Sequence, residues 1–357
     1  GALLMGSAAM DRRAFLETFL KGAGCYAVVA GVPFSAQVLG AQSGLYPQGT
    51  WHFPQGLASG DPAPDSVVLW TRVEATDGST GPVALRLEVA LDERFETLVA
   101  ERELEATEVS DHTLRVIVEG LEPDTRYFYR FIAGDDVTPL LGRTRTAPAP
   151  DRDRPVKLAF AACQSYEAGY YGAWRLLVNE DEAAPEDDQI DFVLHLGDFI
   201  YEALGYGGAR RIDPFPSGGR EMGGDVEWSS AHAVTLGDYR HLWKTYLSDP
   251  DLQAARARFP FVMTWDDHEF TDDAWQSAST YGGPSTPAQR RKVAANQAWF
   301  EFVPAHLSGW TGSSGVASQA QDFTPVEVTD APFEGSDDTG LDTEPNNRAA
   351  IESLTIY

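Results

Sequence analysis

The sequence predicts a two-part molecule: an all-β sandwich over residues 44–150, then an α/β domain over residues 151–357. Three observations predict it. Between Gly44 and Pro150, short runs rich in β-branched and aromatic residues recur, with Gly, Pro and Asp between them. After the Pro-rich, charged linker TAPAPDRDRP (146–155), continuous apolar runs alternate with segments of helical periodicity. Each of those later runs ends in titratable side chains, where open α/β sheets bind their ligands.

Residues 1–43 precede both parts and read as an export signal. After Met10 comes DRRAFLETFL, a twin arginine followed by Phe15 and Leu16. The mildly apolar run from Ala23 to Leu39 is too interrupted by Gly and Pro to form a stable membrane span. A twin-arginine address implies a folded passage through the twin-arginine export machinery, to the periplasm or the outside. Cleavage is expected between Ala36 and Ser43. Cys25 lies in this segment, so Cys163 is left unpaired and no disulfide framework exists.

In the sandwich, strands are expected at SVVLWTRV (66–73), VALRLEVALD (83–92), LRVIVEGL (114–121) and RYFYRFIAG (126–134). Leu121, Pro123, Thr125 and Tyr127 have the spacing of the tyrosine corner found in fibronectin type III and related sandwiches. In the α/β part, VKLAFAAC (156–163), DFVLHLGDFIY (191–201) and FVMTW (261–265) read as strands buried on both faces. Helices are expected within 171–180, 238–247 and 289–304. Tyr239, Leu242, Trp243 and Tyr246 fall on one helical face as core packing. The tail from Ser308 to Asn347 reads as a long surface loop.

Composition bounds the function. The chain has 357 residues and is 43% hydrophobic, enough to bury sizeable cores. Its net charge of −27 argues against a nucleic-acid or anionic-membrane surface. An anionic substrate would be repelled unless something positive sat in the site.

The three apolar runs end at Cys163, at Asp198 and Tyr201 within GDFIYE, and at Asp266, Asp267, His268 and Glu269 within DDHE. Each alone has an ordinary reading: a buried thiol, a turn, a packed ring, a solvated turn. Their repetition at equivalent strand ends points to metal. A carboxylate such as Asp198 can bridge two cations. Phenolate and thiolate favour a transition metal, with Fe(III) a natural guest for phenolate. Carboxylate and water ligands suit Ca(II) or Mn(II) beside it, and Zn is possible. Paired metals lower the pKa of a bound water and clamp a phosphoryl group. His268 can contact phosphate oxygen or protonate a leaving oxygen, and Glu269 is expected to orient its imidazole.

LASGDPAPDSVVLWTR (57–72), FAACQS (160–165), LHLGDFIYE (194–202) and TWDDHEF (264–270) together resemble the PhoD-type alkaline phosphatase/phosphodiesterase family with its N-terminal β-domain. The resemblance runs from about Phe53 to Phe302. The GDxxY spacing is also similar to that of purple acid phosphatases. The resemblance implies a calcineurin-like metallophosphoesterase fold, an Fe(III) and Ca(II) centre, and hydrolysis of phosphomonoesters and phosphodiesters by a monomer. Carried over, Cys163, Asp198 and Tyr201 would bind iron. Asp198 and Asp267 would serve the neighbouring metal, with Asp266 open as a further ligand, and His268 would contact phosphate. Two features depart from the pattern. TDDAW places Asp272 and Asp273 where many members carry paired asparagines, and the later Gly-Asp-x-His-type motif is absent, His306 in FVPAH being no substitute. The chain opens on Gly1 and stops at SLTIY, inside a strand-like run, so a longer reading frame carrying the remaining ligands is expected. Two other functions fit the sequence less closely: a phospholipase-D-type phosphodiesterase, and a non-catalytic surface-binding protein whose working part is the sandwich.

Overall fold

The computed structural model describes residues 50–219, 231–274, 278–279, 286–306 and 316–318. The export-signal reading of residues 1–43 lies outside them. The strands of four residues or more are β1 (Leu57–Gly60), β2 (Ser66–Arg72), β3 (Val83–Ala90), β4 (Leu98–Ala106), β5 (Thr113–Glu119), β6 (Arg126–Ala133), β7 (Gly142–Arg145), β8 (Leu158–Ala161), β9 (Phe192–His195) and β10 (Pro260–Met263). The helices are α1 (Gly172–Ala183), α2 (Leu236–Tyr246), α3 (Pro250–Arg258) and α4 (Gln289–Phe302).

One seven-stranded sheet runs through both predicted parts. Its order is β8-β9-β10-β1-β2-β5, with Val316–Ser318 outside β5. The pairs from β8 to β1 are parallel, and β1, β2 and β5 pair antiparallel. A second, five-stranded sheet has the order β7-β6-β3-β4, with Asp136–Val137 beside β6.

Strand β2 shows why the parts are joined. Val67 and Leu69 enter a core with Leu85, Leu87, Tyr127, Tyr129 and Phe131 of the second sheet. Trp70 points the other way, into the helical core with Trp243, Trp299 and Phe302. Its Nε1 donates to the Glu301 carbonyl at 2.7 Å. A strand apolar on both faces must be covered on both faces, so β2 serves two cores at once. The sandwich is therefore not a separate two-sheet body of the fibronectin type. The sheet facing β3–β7 is the α/β sheet itself, and the described residues of both parts fall in one compact unit. At the junction Gly60 pairs with Phe261, and a Cβ on Gly60 would stand 2.2 Å from the Pro304 carbonyl oxygen. The tyrosine corner does form its hydrogen bond: Tyr127 Oη accepts from Glu122 N at 2.8 Å.

The linker is bolted down rather than loose. Arg145 reaches Asp124 at 2.8 Å and Asp191 at 3.1 Å, and Arg154 reaches the same two acids at 2.9 Å each.

Other expectations shift in detail. Helix α2 starts at a capping box between Thr235 and Asp238 and buries Tyr239, Leu242, Trp243 and Tyr246 as expected. Helix α3 escaped the pattern of apolar residues, yet its Asp249 N-cap followed by Pro250 is a start signal. Strand β4 also escaped it, because LVAERELEA is a mostly exposed edge strand. Strand β8 was expected to be buried on both faces. It lies instead at the sheet edge, with Leu158 46% and Phe160 61% exposed. Within the expected tail loop, Val316–Ser318 is a strand paired antiparallel with β5; the rest of the tail lies outside the described residues.

Candidate metal centre

Strands β8, β9 and β10 are adjacent and parallel, so their carboxyl ends open on one edge of the sheet. The loops leaving them are tied together. Cys163 N donates to Gly197 O at 3.2 Å and Gln164 N to Asp198 O at 3.0 Å. Gly197 has φ 99°, and a Cβ there would lie 2.3 Å from Asp266 N. The missing side chain lets the β9 and β10 loops touch. Cys163 and Asp198 both sit in the left-handed region, at φ 57° and 52°. Non-glycine residues occupy that region at a cost and cluster at functional sites when they do.

Five predicted residues converge here. Cys163 Sγ donates to Asp198 Oδ2 at 3.2 Å, and Tyr201 Oη approaches the same oxygen at 3.5 Å. The other oxygen, Asp198 Oδ1, is buried without a hydrogen-bond partner. Asp198, Asp267 and His268 offer ligand atoms within 4.8 Å of one another. The His268 ring lies 4.1 Å from the Tyr201 ring.

Two assignments change. Glu269 was expected to orient His268. Its buried carboxylate instead accepts from the backbone amides of Asp198 at 3.2 Å, Phe199, and Asp266 at 2.8 Å, binding the two loops to each other. The residue on the imidazole is Glu202, fully buried, whose Oε2 stands 2.8 Å from His268 Nδ1. Its Oε1 accepts from Asp272 N at 2.9 Å. The sequence signal was present: a glutamate closes the apolar GDFIYE run where the chain is still buried. Asp266 is exposed and its Oδ1 accepts from Asp267 N at 3.0 Å, so it stands outside the Asp198, Asp267 and His268 group. His306 lies elsewhere, its amide on Asp61 at 2.6 Å.

The electrostatics show what the site lacks. Burial, then the Asp198 carboxylate, pushes the Cys163 thiol up to about 11. Burial and Asp198 push the Tyr201 phenol up as well. Asp198 is raised by burial and by Asp266 and Asp267, despite the Cys163 donor and His268. Burial would lower His268, but Glu202, Asp198 and Asp267 carry it up to about 9. Thiol, phenol and carboxylate all resist ionisation, first because they are buried and then because of the acids around them. A bound cation inverts that balance and deprotonates such ligands. The unpartnered Asp198 Oδ1 among these donors is what a metal site requires, so the residues fit a metal.

Residues 158–316 match the model for PhoD-like phosphatases, and residues 40–148 match that for the N-terminal domain of PhoD-like phosphatases. Alkaline phosphatase D of Bacillus subtilis (strain 168) is 37% identical over 306 residues, covering 84% of this chain and 48% of that protein. A solved structure of PhoD superposes with a TM-score of 0.62 at 35% identity, covering 75% of this chain and 49% of the other. The chain thus spans about half the length of the relatives it matches.

Proposed function

The chain belongs to the PhoD-like phosphatase family, and from that premise we propose that its centre hydrolyses phosphate esters using two cations. The observation that carries this reading is the convergence of Cys163 Sγ and Tyr201 Oη on one oxygen of Asp198 while the other oxygen has no partner. Cys163, Tyr201 and Asp198 would hold Fe(III). Asp198 and Asp267 would hold Ca(II) beside it, with Mn or Zn as substitutes. When bound, such cations supply Lewis-acid charge and a nucleophile available at alkaline pH.

The chain's own residues supply the rest. Glu202 occupies His268 Nδ1, so Nε2 is the atom left to face a substrate. From that nitrogen the protonated ring can donate to a phosphoryl oxygen or to the leaving oxygen. Glu269 keeps the two ligand-bearing loops in register through three backbone amides. The DRRAFLETFL stretch supports export through the twin-arginine machinery. No helix among the described residues is long and apolar enough to cross a membrane.

The test is metal analysis and visible spectroscopy of the full-length protein, together with hydrolysis of p-nitrophenyl phosphate. Iron with a tyrosinate band that Tyr201→Phe abolishes is expected. His268→Ala should keep metal and lower kcat by roughly 10²–10⁴. Zinc alone, with Tyr201→Phe fully active, would overturn the ligand assignment.

A further inference from the structure

We propose that Tyr206 is a positioning residue for the hydrolysis, its ring setting the plane of the His268 imidazole, and that Glu167 holds Tyr206 in place. The inference rests on the hydrolase reading above and adds to it two residues that lie outside the ligand set.

Glu202 fixes where His268 Nδ1 lies, at 2.8 Å, but one hydrogen bond lets the ring tilt about that point. The last torsion of a histidine has broad wells, so rotamer preference does not set the plane either. Asp272 Oδ1, 3.6 Å from Nε2, is beyond hydrogen-bond length. Aromatic neighbours supply the missing constraint. Tyr201 lies along the imidazole, with ring centres 4.1 Å apart and planes 32° apart. Tyr206 stands almost perpendicular to both rings, 6.3 Å from His268 at 84° and 5.4 Å from Tyr201 at 80°. Edge-on aromatic pairs attract at these separations. Tyr201 alone would let the imidazole slide along its face, and a perpendicular third ring against both stops that sliding. With Nδ1 held and the plane set, the aim of Nε2 is fixed.

Tyr206 is held in turn by its own backbone. It lies in LGYGGAR (204–210). The buried carboxylate of Glu167, four residues past Cys163, accepts from Gly205 N at 2.8 Å and from Tyr206 N at 3.1 Å. Gly208, at φ 136°, presses on the Glu167 carbonyl oxygen, where a Cβ would come within 2.1 Å. Arg210 N donates to that same carbonyl at 3.3 Å. The Arg210 guanidinium lies 3.4 Å over the Tyr166 ring and donates at 2.6 Å to buried Asp249, the N-cap of α3. A buried carboxylate must find donors, and those of Glu167 are the amides that place Tyr206. Glu269 ties the β10 loop to the β9 loop through amides; Glu167 ties the β8 loop to the chain beyond β9 in the same way.

The experiment compares the full-length protein with Tyr206→Phe, Tyr206→Leu, Glu167→Gln and Glu167→Leu. In chelated protein, carbon relaxation NMR of the His268 ring reports its motion without turnover. The ring should be rigid in wild type, Tyr206→Phe and Glu167→Gln, and mobile in both leucine variants. Phe keeps the aromatic ring and Gln keeps an acceptor for the two amides, so each serves as a rescue. In metal-loaded protein, both leucine variants should lose about tenfold or more in kcat on p-nitrophenyl phosphate, as misplaced catalytic groups do. KM and metal content should not change. The double leucine variant should fall no further than the worse single one, because the two residues act in series. A ring as rigid in Tyr206→Leu as in wild type, or an unchanged kcat there, would overturn the role of Tyr206. Equal losses in Tyr206→Phe and Tyr206→Leu would overturn it too, since the hydroxyl and not the ring would then be at work. Loss of metal from the leucine variants would show a scaffold for the ligands and would also overturn it. Where one leucine variant does not fold, the other decides by the same readouts. No turnover by metal-loaded wild type would overturn the hydrolase reading, while ring motion in the chelated variants still decides whether Tyr206 fixes His268.

Discussion

The two ends of strand β9 carry the same residue type under opposite electrostatic conditions. Asp191 stands just before the strand and Asp198 just after it. Burial would raise Asp191, but Arg154, the Lys157 amide and Arg145 outweigh it and hold its carboxyl below the usual range. These partners lie at 2.9 to 3.1 Å and arrive from β7, from the linker and from the residue just before β8. Asp198, equally out of the water, has a thiol and a phenol as neighbours, further acids beyond them, and His268 as its opposing charge. A carboxylate used for architecture carries its counter-ions with it. One kept in deficit has a place for a cation that the fold does not provide. The difference marks the carboxyl end of the strand as the end that could take a cation.

The largest expected effect breaks the comparison at its functional end. Asp198→Asn removes the shared oxygen pair. The protein should then lose bound metal and hydrolysis together, while the melting temperature of the metal-free form does not fall. Retention of the full metal complement by this variant would remove the distinction between the two ends. The architectural end should respond in the opposite way. Asp191→Ala leaves Arg145 and Arg154 with Asp124 as their remaining acid and the Lys157 amide without its acceptor, and should cost about 1–3 kcal/mol in denaturant unfolding, with metal content unchanged.

A smaller effect sharpens the functional side. Glu202→Gln keeps the shape of the carboxylate but not its charge. It should lower kcat about 10- to 100-fold with metal retained, as outer-sphere partners of active-site imidazoles commonly do. In a His268→Ala background the same change should add little, because Glu202 acts through the ring. A full additional loss there would show that Glu202 acts through contacts other than the ring.

The smallest effect is a pH slope in the metal-free protein. Asp198 and Glu269 have raised carboxyl pKa values, Glu269 reaching about 8 through burial that outweighs its three amide donors. The folded state then binds more protons than the unfolded one above the ordinary carboxylate range, so stability falls as pH rises through that window. His268, raised to about 9, acts in the same direction: its contribution is present below its unfolded value and lost as pH rises through 9. Asp191 acts oppositely, its contribution being lost as pH falls through its depressed value. Denaturant midpoints of chelated protein should fall from pH 6 to pH 9, and Asp198→Asn should flatten part of that slope.

Much of the site was legible because its logic is local. An apolar run followed at once by Cys163, by Asp198 and Tyr201, or by Asp267 and His268 shows in the residue order itself. The strands of the sandwich were legible for the same reason wherever one residue in two was apolar, as in β3 and β6, and illegible in β4, where both faces are wet. Helix α3 was hidden because its apolar pattern is faint and its signal is a cap.

What the sequence by itself determined is the kind of chemistry. Apolar runs dictate strands, and anionic donors placed just past them dictate a site short of positive charge, since both follow from neighbours along the chain. What only the tertiary structure decided is pairing. Glu202 and Glu269 each follow a predicted site residue directly, so no local rule separates them. Their roles diverge because the left-handed turn at Asp198 and the Cβ-free contact at Gly197 bring the β9 and β10 loops together. Glu269 is thereby turned onto backbone amides, and Glu202 is left beneath the imidazole. In the same way the apolar residues of β2 announced burial on two faces. Which two cores it would serve, and so that sandwich and α/β sheet are one, depended on contacts between residues far apart in the chain, which burial patterns do not encode.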